Sequence, residues 1–449
     1  MNASVLIRPN RLHIRPIGLL VAAVAVAAAT YGLGALRASR PATVPIVDGA
    51  ALIEAAPPAD LAAIDTQIAI WGPKSAADAR DDISAGNLGI LYLGRGRLTG
   101  DAADYERALA AADRAVAANP TSTGTRALRA TVLQATHDFP GALALAIGIL
   151  ANEPANVDAL AVAGDARLEL GRLDEAATTY AAISRILPGP ALDARLARLA
   201  WLRGDGTGAL DLARRARDGA VTVESADPSF YEAQLGEIAR VTGHGDMAAA
   251  SFDAALALRP TNQLALLGRA RLQAFAGDDA AAIATLRHAA AIAPRPETLA
   301  LLVDILDHTG DADGARRNAD TIRVIEQLGG TSAQLFDRQI LGFELDHGGA
   351  TTAVLDRARA AATIRPDAAG LDLVAWAAYR LGDLSAAREA SDRALATGSA
   401  DARILYHAGA IALARGDGDA GRALVRRALD LGPALDPVDR AAAEALVAG

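Results

Sequence analysis

The chain of 449 residues is 52% hydrophobic but only 4% aromatic, and its apolar residues are mostly Ala and Leu, which favour helix. Its formal net charge of −9 argues against a general nucleic-acid binder, which needs a basic surface to replace the counterions around phosphate. The absence of cysteine excludes disulfides, iron–sulfur clusters and cysteine-ligated zinc. We therefore expect an all-α protein that is too long for one ordinary core.

The first predicted element is a transmembrane helix at residues 16–36, an uncharged run that would span roughly 30 Å as a helix. Residues 1–15 contain three arginines and form a predicted cytoplasmic tail, because positive residues favour the cytoplasmic side. The rest of the chain would then be extracytoplasmic. The alternative is a cleaved signal peptide, which would leave a secreted or periplasmic protein, although Leu33 or Leu36 falls where the cleavage site needs a small residue.

Two short segments follow the predicted membrane helix. Residues 37–58 are rich in Pro and Ala, which indicates a linker. Residues 59–84 are predicted to form a short helical N-cap of two amphipathic helices, 59–72 and 75–84, separated by a Gly-Pro pair.

Prolines recur along residues 85–435 with a period of about 34. Pro120, Pro154 and Pro188 are spaced by 34 residues, as are Pro260 and Pro294, and Pro366 follows Pro294 by 72, two periods plus four residues. Small or apolar residues occur twelve, eight and five positions before these prolines, which places them on one helical face. Proline disfavours continuation of the helix before it. The pattern predicts about ten helical repeats.

A Gly-Asp pair marks a second position in the repeat. Glycine can adopt the left-handed conformation that closes one helix, and the following Asp can cap the next helix through its side-chain oxygen. Each repeat is therefore predicted to be helix, tight turn, helix. The pairs lie at 100–101, 204–205, 245–246, 277–278, 310–311, 382–383 and 416–417.

A 34-residue helical pair of this kind resembles the tetratricopeptide repeat (TPR) family. Leu88, Gly89 and Tyr92 match the first-helix pattern of that family. The resemblance covers about 85–449 and implies a right-handed α-solenoid that ends in a capping helix at 436–449. Among TPR proteins, the chain most resembles bacterial envelope forms with a single membrane anchor and an extracytoplasmic array.

The sequence offers no catalytic motif. No two of the seven histidines have the i, i+4 spacing of a helical metal pair, and there is no Walker phosphate loop or GxSxG elbow. The Gly-Asp aspartates would be about 10 Å apart at successive turns, too far apart to share a calcium ion, so capping explains them better. We therefore predict no enzyme, no cofactor and no metal.

The resemblance implies that the first helices line a concave groove that binds other proteins or peptides. The predicted function is a membrane-anchored scaffold or adaptor, with assembly of an envelope complex as one role. The alternatives are a regulatory or sensory subunit that binds a peptide or small ligand, and an enzyme with an unrecognised site. The candidate groove residues are Asp158, Asp165, Phe230, Glu237, Arg271, Phe336, Phe343, Arg380 and Arg403.

Overall fold

The computed structural model describes residues 61–223 and 226–448, and all regular secondary structure in these ranges is helical. The α-helices are α1 (Leu61–Ala77), α2 (Asp82–Thr99), α3 (Ala102–Ala118), α4 (Thr123–Ala135), α5 (Phe139–Leu150), α6 (Val157–Glu169), α7 (Leu173–Ile186), α8 (Pro190–Leu202), α9 (Gly206–Ala220), α10 (Pro228–Val241), α11 (Gly245–Leu258), α12 (Gln263–Phe275), α13 (Asp279–Ile292), α14 (Pro296–His308), α15 (Ala312–Gln327), α16 (Gly330–Phe343), α17 (Thr352–Ile364), α18 (Ala368–Arg380), α19 (Leu384–Leu395), α20 (Ala402–Ala414), α21 (Gly418–Asp430) and α22 (Pro437–Ala448). A π-helical turn follows α16 at Glu344–Gly348, and a 3₁₀ turn precedes α22 at Gly432–Ala434.

Three predicted segments, the tail at 1–15, the membrane helix at 16–36 and the linker at 37–58, lie outside the described residues. Within the described part of the chain, no helix combines the length and hydrophobicity needed to cross a bilayer. The membrane segment therefore stays a prediction.

Helices α2 to α21 pack as consecutive helix–turn–helix pairs, in which each even-numbered helix lies against the odd-numbered helix that follows it. Each pair also contacts the next, so the pairs stack into a solenoid. Before the first pair, α1 runs uninterrupted through Pro73, where we predicted two helices at 59–72 and 75–84. Proline removes a backbone hydrogen bond and disturbs the turn before it. Because Pro73 lies near the C-terminal end of α1, only a few helical residues follow that turn.

The turn prediction is confirmed at most of the Gly-Asp pairs. The left-handed glycines of those pairs are Gly100, Gly204, Gly277, Gly310, Gly382 and Gly416. The prediction for the pair at 245–246 was wrong, because Gly243 takes the left-handed conformation there and His244 is the N-cap. Asp417 occupies its N-cap position without a side-chain hydrogen bond.

The prolines follow the second helices as predicted. At most of them, the residue before the proline leaves the helical conformation and so ends the helix. Arg259 and Ala293 each end a helix with extended backbone angles, and Asn119, Leu187 and Arg365 also leave the helical region. A residue that precedes proline is pushed out of the helical region by the proline ring. Pro154 is different, because it lies four residues beyond the end of α5.

The core uses small residues where the helices approach most closely. The predicted positions twelve residues before the prolines are fully buried at Ala108, Ala142, Ala176, Ala248 and Ala282. Larger side chains one turn later fill the space between helices: the Phe252 ring is fully buried and lies against both Gly236 and Gly268. A Cβ atom at Gly236 would lie 2.6 Å from Cδ1 of Phe252, so the close approach requires glycine there.

The solenoid winds tightly enough for one superhelical turn to touch the next. Arg365 Nη2 donates to Glu169 Oε2 at 2.6 Å, and Arg240 Nη1 donates to the Pro433 carbonyl at 2.8 Å. These partners are separated by 196 and 193 positions in sequence. A full superhelical turn therefore takes about six repeats of 34 residues.

Candidate functional site

The inner side of the superhelix encloses a cavity of about 1060 Å³. Every even-numbered helix from α2 to α20 contributes to its lining, and most odd-numbered helices do not reach it. The first helix of each repeat therefore forms the concave surface. This is the arrangement that the repeat pattern predicts.

Near the middle of the chain, α6 and α8 meet the cavity through a buried polar network centred on Asp165. Arg195 Nε donates to Asp165 Oδ1 at 2.9 Å, and the Tyr180 hydroxyl donates to the same atom at 2.7 Å. Burial, followed by the charge of Asp165, raises the pKa of Tyr180. The tyrosine therefore remains a neutral donor, and the network holds α6, α7 and α8 in fixed relation.

An arginine-rich part of the lining lies where the α4–α5 turn faces α16 and α18. The Arg365 guanidinium carbon lies 4.6 Å from the centre of the Phe139 ring, on which His137 also stacks. Arg338 donates to the Arg365 carbonyl at 2.9 Å and to Asp367 at 2.8 Å. Burial and then the neighbouring Arg338 lower the pKa of Arg365, while Glu169 and Asp367 act in the opposite sense.

His137 departs from the repeat pattern at this place. It is the non-glycine residue with positive φ, at 63°, in the described part of the chain, and it lies in the α4–α5 turn where other repeats have glycine. A left-handed conformation costs an L-residue about 1–2 kcal/mol. The turn therefore accepts strain and places an imidazole at the cavity wall.

A carboxylate-rich part of the lining lies between α14, the π-helical turn and α20. His347 Nε2 lies 3.0 Å from Asp304 Oδ1, within the distance of an ion pair if the imidazole is protonated. Burial, followed by three nearby carboxylates including Asp346, raises the pKa of Asp304 to about 8, and burial lowers the pKa of His347. Arg403 is the counter-charge, paired with Asp346 on one side and with Asp439 Oδ2 at 3.1 Å on the other.

An aromatic stack borders the cavity on α18 and α20. The Trp376 and His407 rings lie 3.8 Å apart and nearly parallel, and Tyr379 stacks near Trp376 at 5.0 Å. His407 Nδ1 lies 2.9 Å from Asp372 Oδ2, which fixes the plane of the imidazole. His407 is only 2% exposed, so this histidine is part of the packing between repeats rather than a group open to a ligand.

The structure brings six of the nine predicted groove residues to the cavity wall. They are Asp165, Phe230, Arg271, Phe343, Arg380 and Arg403. The other three lie off the wall: Asp158 is buried in α6, Glu237 is bound to Arg240, and Phe336 packs against the core of α12–α16. Whether any of the nine contacts a partner stays a prediction.

The sequence pattern missed several lining residues, among them the buried arginines Arg195, Arg240 and Arg365. Arg240 lies three positions after the candidate Glu237 and pairs with it, so extending the candidate face by one helical turn would have selected it. Within the described residues, no group of three or more His, Asp or Glu side chains is arranged to hold a metal ion.

Several solved structures are similar to parts of this chain. A thermophilic TPR protein from Thermus thermophilus is 22% identical over 43% of this chain and 97% of its own, with a TM-score of 0.37. PilW, described as a widely conserved type IV pilus biogenesis factor, is 17% identical over 47% of this chain and 96% of its own, with a TM-score of 0.39. YrrB, described as a TPR protein with an unusual peptide-binding site, is 19% identical over 41% and 92%, with a TM-score of 0.28.

No curated protein sequence matches the chain. The tetratricopeptide repeat family matches at residues 127–190 and 375–436. The first match spans α5, α6 and α7, and the second spans α19, α20 and α21. Two stretches of the all-helical solenoid therefore match the tetratricopeptide repeat model.

Proposed function

We propose that this protein is a scaffold that binds a segment of another protein inside the cavity of its superhelix. The observation that carries the proposal is the lining, in which ten successive first helices present charged side chains of both signs beside aromatic rings. Many separate polar contacts along a groove suit an extended or helical peptide.

The proposal extends to the location of the protein. Residues 16–36 anchor the chain in a membrane, the repeats lie on the extracytoplasmic side, and the scaffold assists assembly of an envelope complex. The uncharged run and the arginines before it support this orientation.

Labelling of a single introduced cysteine tests the location, because the chain has no cysteine of its own. Ser184→Cys lies on an exposed face of α7, and Ala3→Cys lies in the predicted cytoplasmic tail. A membrane-impermeant maleimide should label Ser184→Cys in intact spheroplasts and label Ala3→Cys only after lysis. The reverse pattern would contradict the proposed orientation.

Cross-linking from membranes tests the binding role, with variants matched for charge. Arg380→Glu changes an exposed residue at the cavity wall, whereas Arg317→Glu makes the same change on an exposed face of α15 outside the cavity. A partner should be lost with Arg380→Glu and retained with Arg317→Glu. If both variants retain every cross-linked protein, the cavity is not the binding surface, and small ligands become the candidates to screen.

A further inference from the structure

The C-terminal segment of the chain lies inside the superhelix rather than at its outer end. The 3₁₀ turn at Gly432–Ala434 packs on α10 and α12, and α22 packs on α14 as well as on α20 and α21. Helices α10, α12 and α14 start pairs that lie five, four and three positions before the last pair, α20–α21. The segment 432–448 therefore crosses from the last repeat onto the concave surface of these earlier repeats, and it lines the cavity.

Three arginines from different helices hold this segment. Arg240 Nη1 donates to the Pro433 carbonyl at 2.8 Å, and Arg271 Nε donates to Asp436 Oδ1 at 3.0 Å. Arg403 Nε lies 3.1 Å from Asp439 Oδ2. Arg271 makes a charge-assisted hydrogen bond to Asp436, whereas Arg403 and Asp439 form an ion pair, and these two aspartates hold the start of α22 in place.

Helix α22 has fewer fully buried residues than α21, although Leu446 and Val447 pack partly buried against the same core and Leu435, just before the helix, is buried. Ala443 is its buried residue, and Val438 at its first turn is 51% exposed. By contrast, the preceding α21 buries Val425 and Ala428 completely. A helix with few buried apolar contacts opens at a low free-energy cost, so α22 is the easier of the two to displace.

The docked segment also meets like charge. Burial and then Asp436, Asp346 and Asp439 raise the pKa of Asp304 to about 8, and burial raises the pKa of Asp439. The pKa of Asp436 is lowered although its burial acts to raise it. The cause is the positive charge of three nearby arginines, Arg271, Arg240 and Arg403. The arginines therefore attract the segment while Asp346 of the π-helical turn opposes it, and Asp304, with its raised pKa, holds a proton at neutral pH.

We propose that residues 432–448 are a built-in occupant of the groove, and that the partner is a helix whose acidic first turn replaces Asp436 and Asp439 on the same arginines. This inference rests on the proposed binding role of the cavity. It adds the chemistry of the ligand, two carboxylates spaced i, i+3 at a helix start, and a competition that keeps the groove closed until such a partner arrives.

A peptide of residues 432–448, fluorescently labelled, tests the proposal on the full chain. The variant Asp436→Asn/Asp439→Asn removes the carboxylates of the tail, so it should bind the peptide at least tenfold more tightly than the parent chain, whose groove is occupied. Adding Arg271→Ala should abolish that gain. Asp419→Asn/Asp430→Asn on exposed positions of α21 is the matched control and should bind like the parent.

Equal affinity of the parent and the Asp436→Asn/Asp439→Asn variant would overturn the proposal. A dimer that forms as the concentration rises, and that the same variant abolishes, would also overturn the proposal. The tail would then occupy the groove of a second copy of the chain. Hydrogen exchange on the parent gives a reading that does not depend on any variant folding. Amides of 437–448 should exchange much faster than those of α20 and α21, and equal protection would contradict a displaceable tail.

The two proposals fail in different ways. If the peptide binds no variant but a cross-linked partner still depends on Arg380, the binding role stands and the built-in occupant does not. If the peptide binds as expected and no protein partner depends on the cavity, the tail closes a groove that has another use.

Discussion

Gly204 and Gly277 test whether successive superhelical turns touch in solution, because their backbones are alike and their surroundings differ. Their φ angles are 80° and 78°. A Cβ atom on Gly277 would meet no atom within 4 Å, whereas one on Gly204 would run into the carbonyl oxygen of Gly398 on the next superhelical turn. Gly277→Ala therefore measures backbone strain alone, and Gly204→Ala measures strain together with the contact.

The expected losses of stability follow from these surroundings. The left-handed conformation costs an L-residue about 1–2 kcal/mol. Alanine recovers about 0.4–1 kcal/mol of this by restricting the unfolded chain, which leaves a loss of about 1 kcal/mol for Gly277→Ala. At Gly204 the opposing atom is backbone and cannot rotate away, so overpacking adds about 1–3 kcal/mol.

Urea unfolding of the full chain, followed by circular dichroism, measures both losses. Hydrogen exchange locates them: Gly204→Ala should speed exchange of the amides at 396–401, and Gly277→Ala should leave those amides unchanged. If the two variants lose equal stability and neither affects 396–401, the turns do not touch in solution. The enclosed cavity would then be an open groove.

Asp304→Asn should flatten the pH dependence of stability. Burial and nearby carboxylates raise the Asp304 pKa from 3.8 to about 8, so between these pH values the folded state holds a proton that the unfolded state has released. The parent should therefore lose about 1.4 kcal/mol of unfolding free energy per pH unit as the pH rises through this range. Urea midpoints at pH 5 and 7 check this, and identical slopes for parent and variant would contradict it. A double-mutant cycle of Arg365→Ala and Glu169→Gln should give a coupling of about 0.5–3 kcal/mol, and zero coupling would mean that this contact between turns is absent. Asp205→Ala should cost about 1 kcal/mol of stability in thermal unfolding, because the Asp205 side chain accepts a hydrogen bond from the Gly208 N–H at 2.8 Å. Asp417 makes no such bond, so Asp417→Ala should cost only a few tenths of a kcal/mol. Equal costs for the two variants would contradict the capping argument.

Local features of the repeat could be predicted because each depends on neighbouring residues. The buried face before each proline follows from helical spacing, and the left-handed glycine and capping Asp follow from backbone sterics. Pro73 shows the limit of such signals, since α1 continues through it. A proline late in a helix disturbs few hydrogen bonds, so the breaker signal predicted a boundary that the chain does not have.

The winding of the superhelix could not be predicted in the same way. The rotation between successive pairs depends on how side chains fit at every interface, and small differences accumulate over about six repeats. The pair of Arg365 and Glu169 is 196 positions apart in sequence and belongs to no periodic pattern. The choice of groove residues depends on the same winding, because it decides which turns of each first helix reach the cavity: Asp165 lies at the wall, and Asp158, two turns earlier in α6, does not.

Tight winding explains why the inner surface depends on paired charges. In an open groove, water solvates each charged side chain, so an exposed charge needs no partner and an exposed ion pair adds little stability. Here the side chains of Arg240, Arg195 and Arg365 are only 6%, 10% and 12% exposed, so an unpaired charge among them would be costly. In the proposed competition, a ligand that displaces the tail must supply Arg271 and Arg403 with the carboxylates that they lose with Asp436 and Asp439. Binding as proposed is then an exchange of ion pairs, and the proposed competition for the groove depends on the placement of carboxylates more than on hydrophobic area.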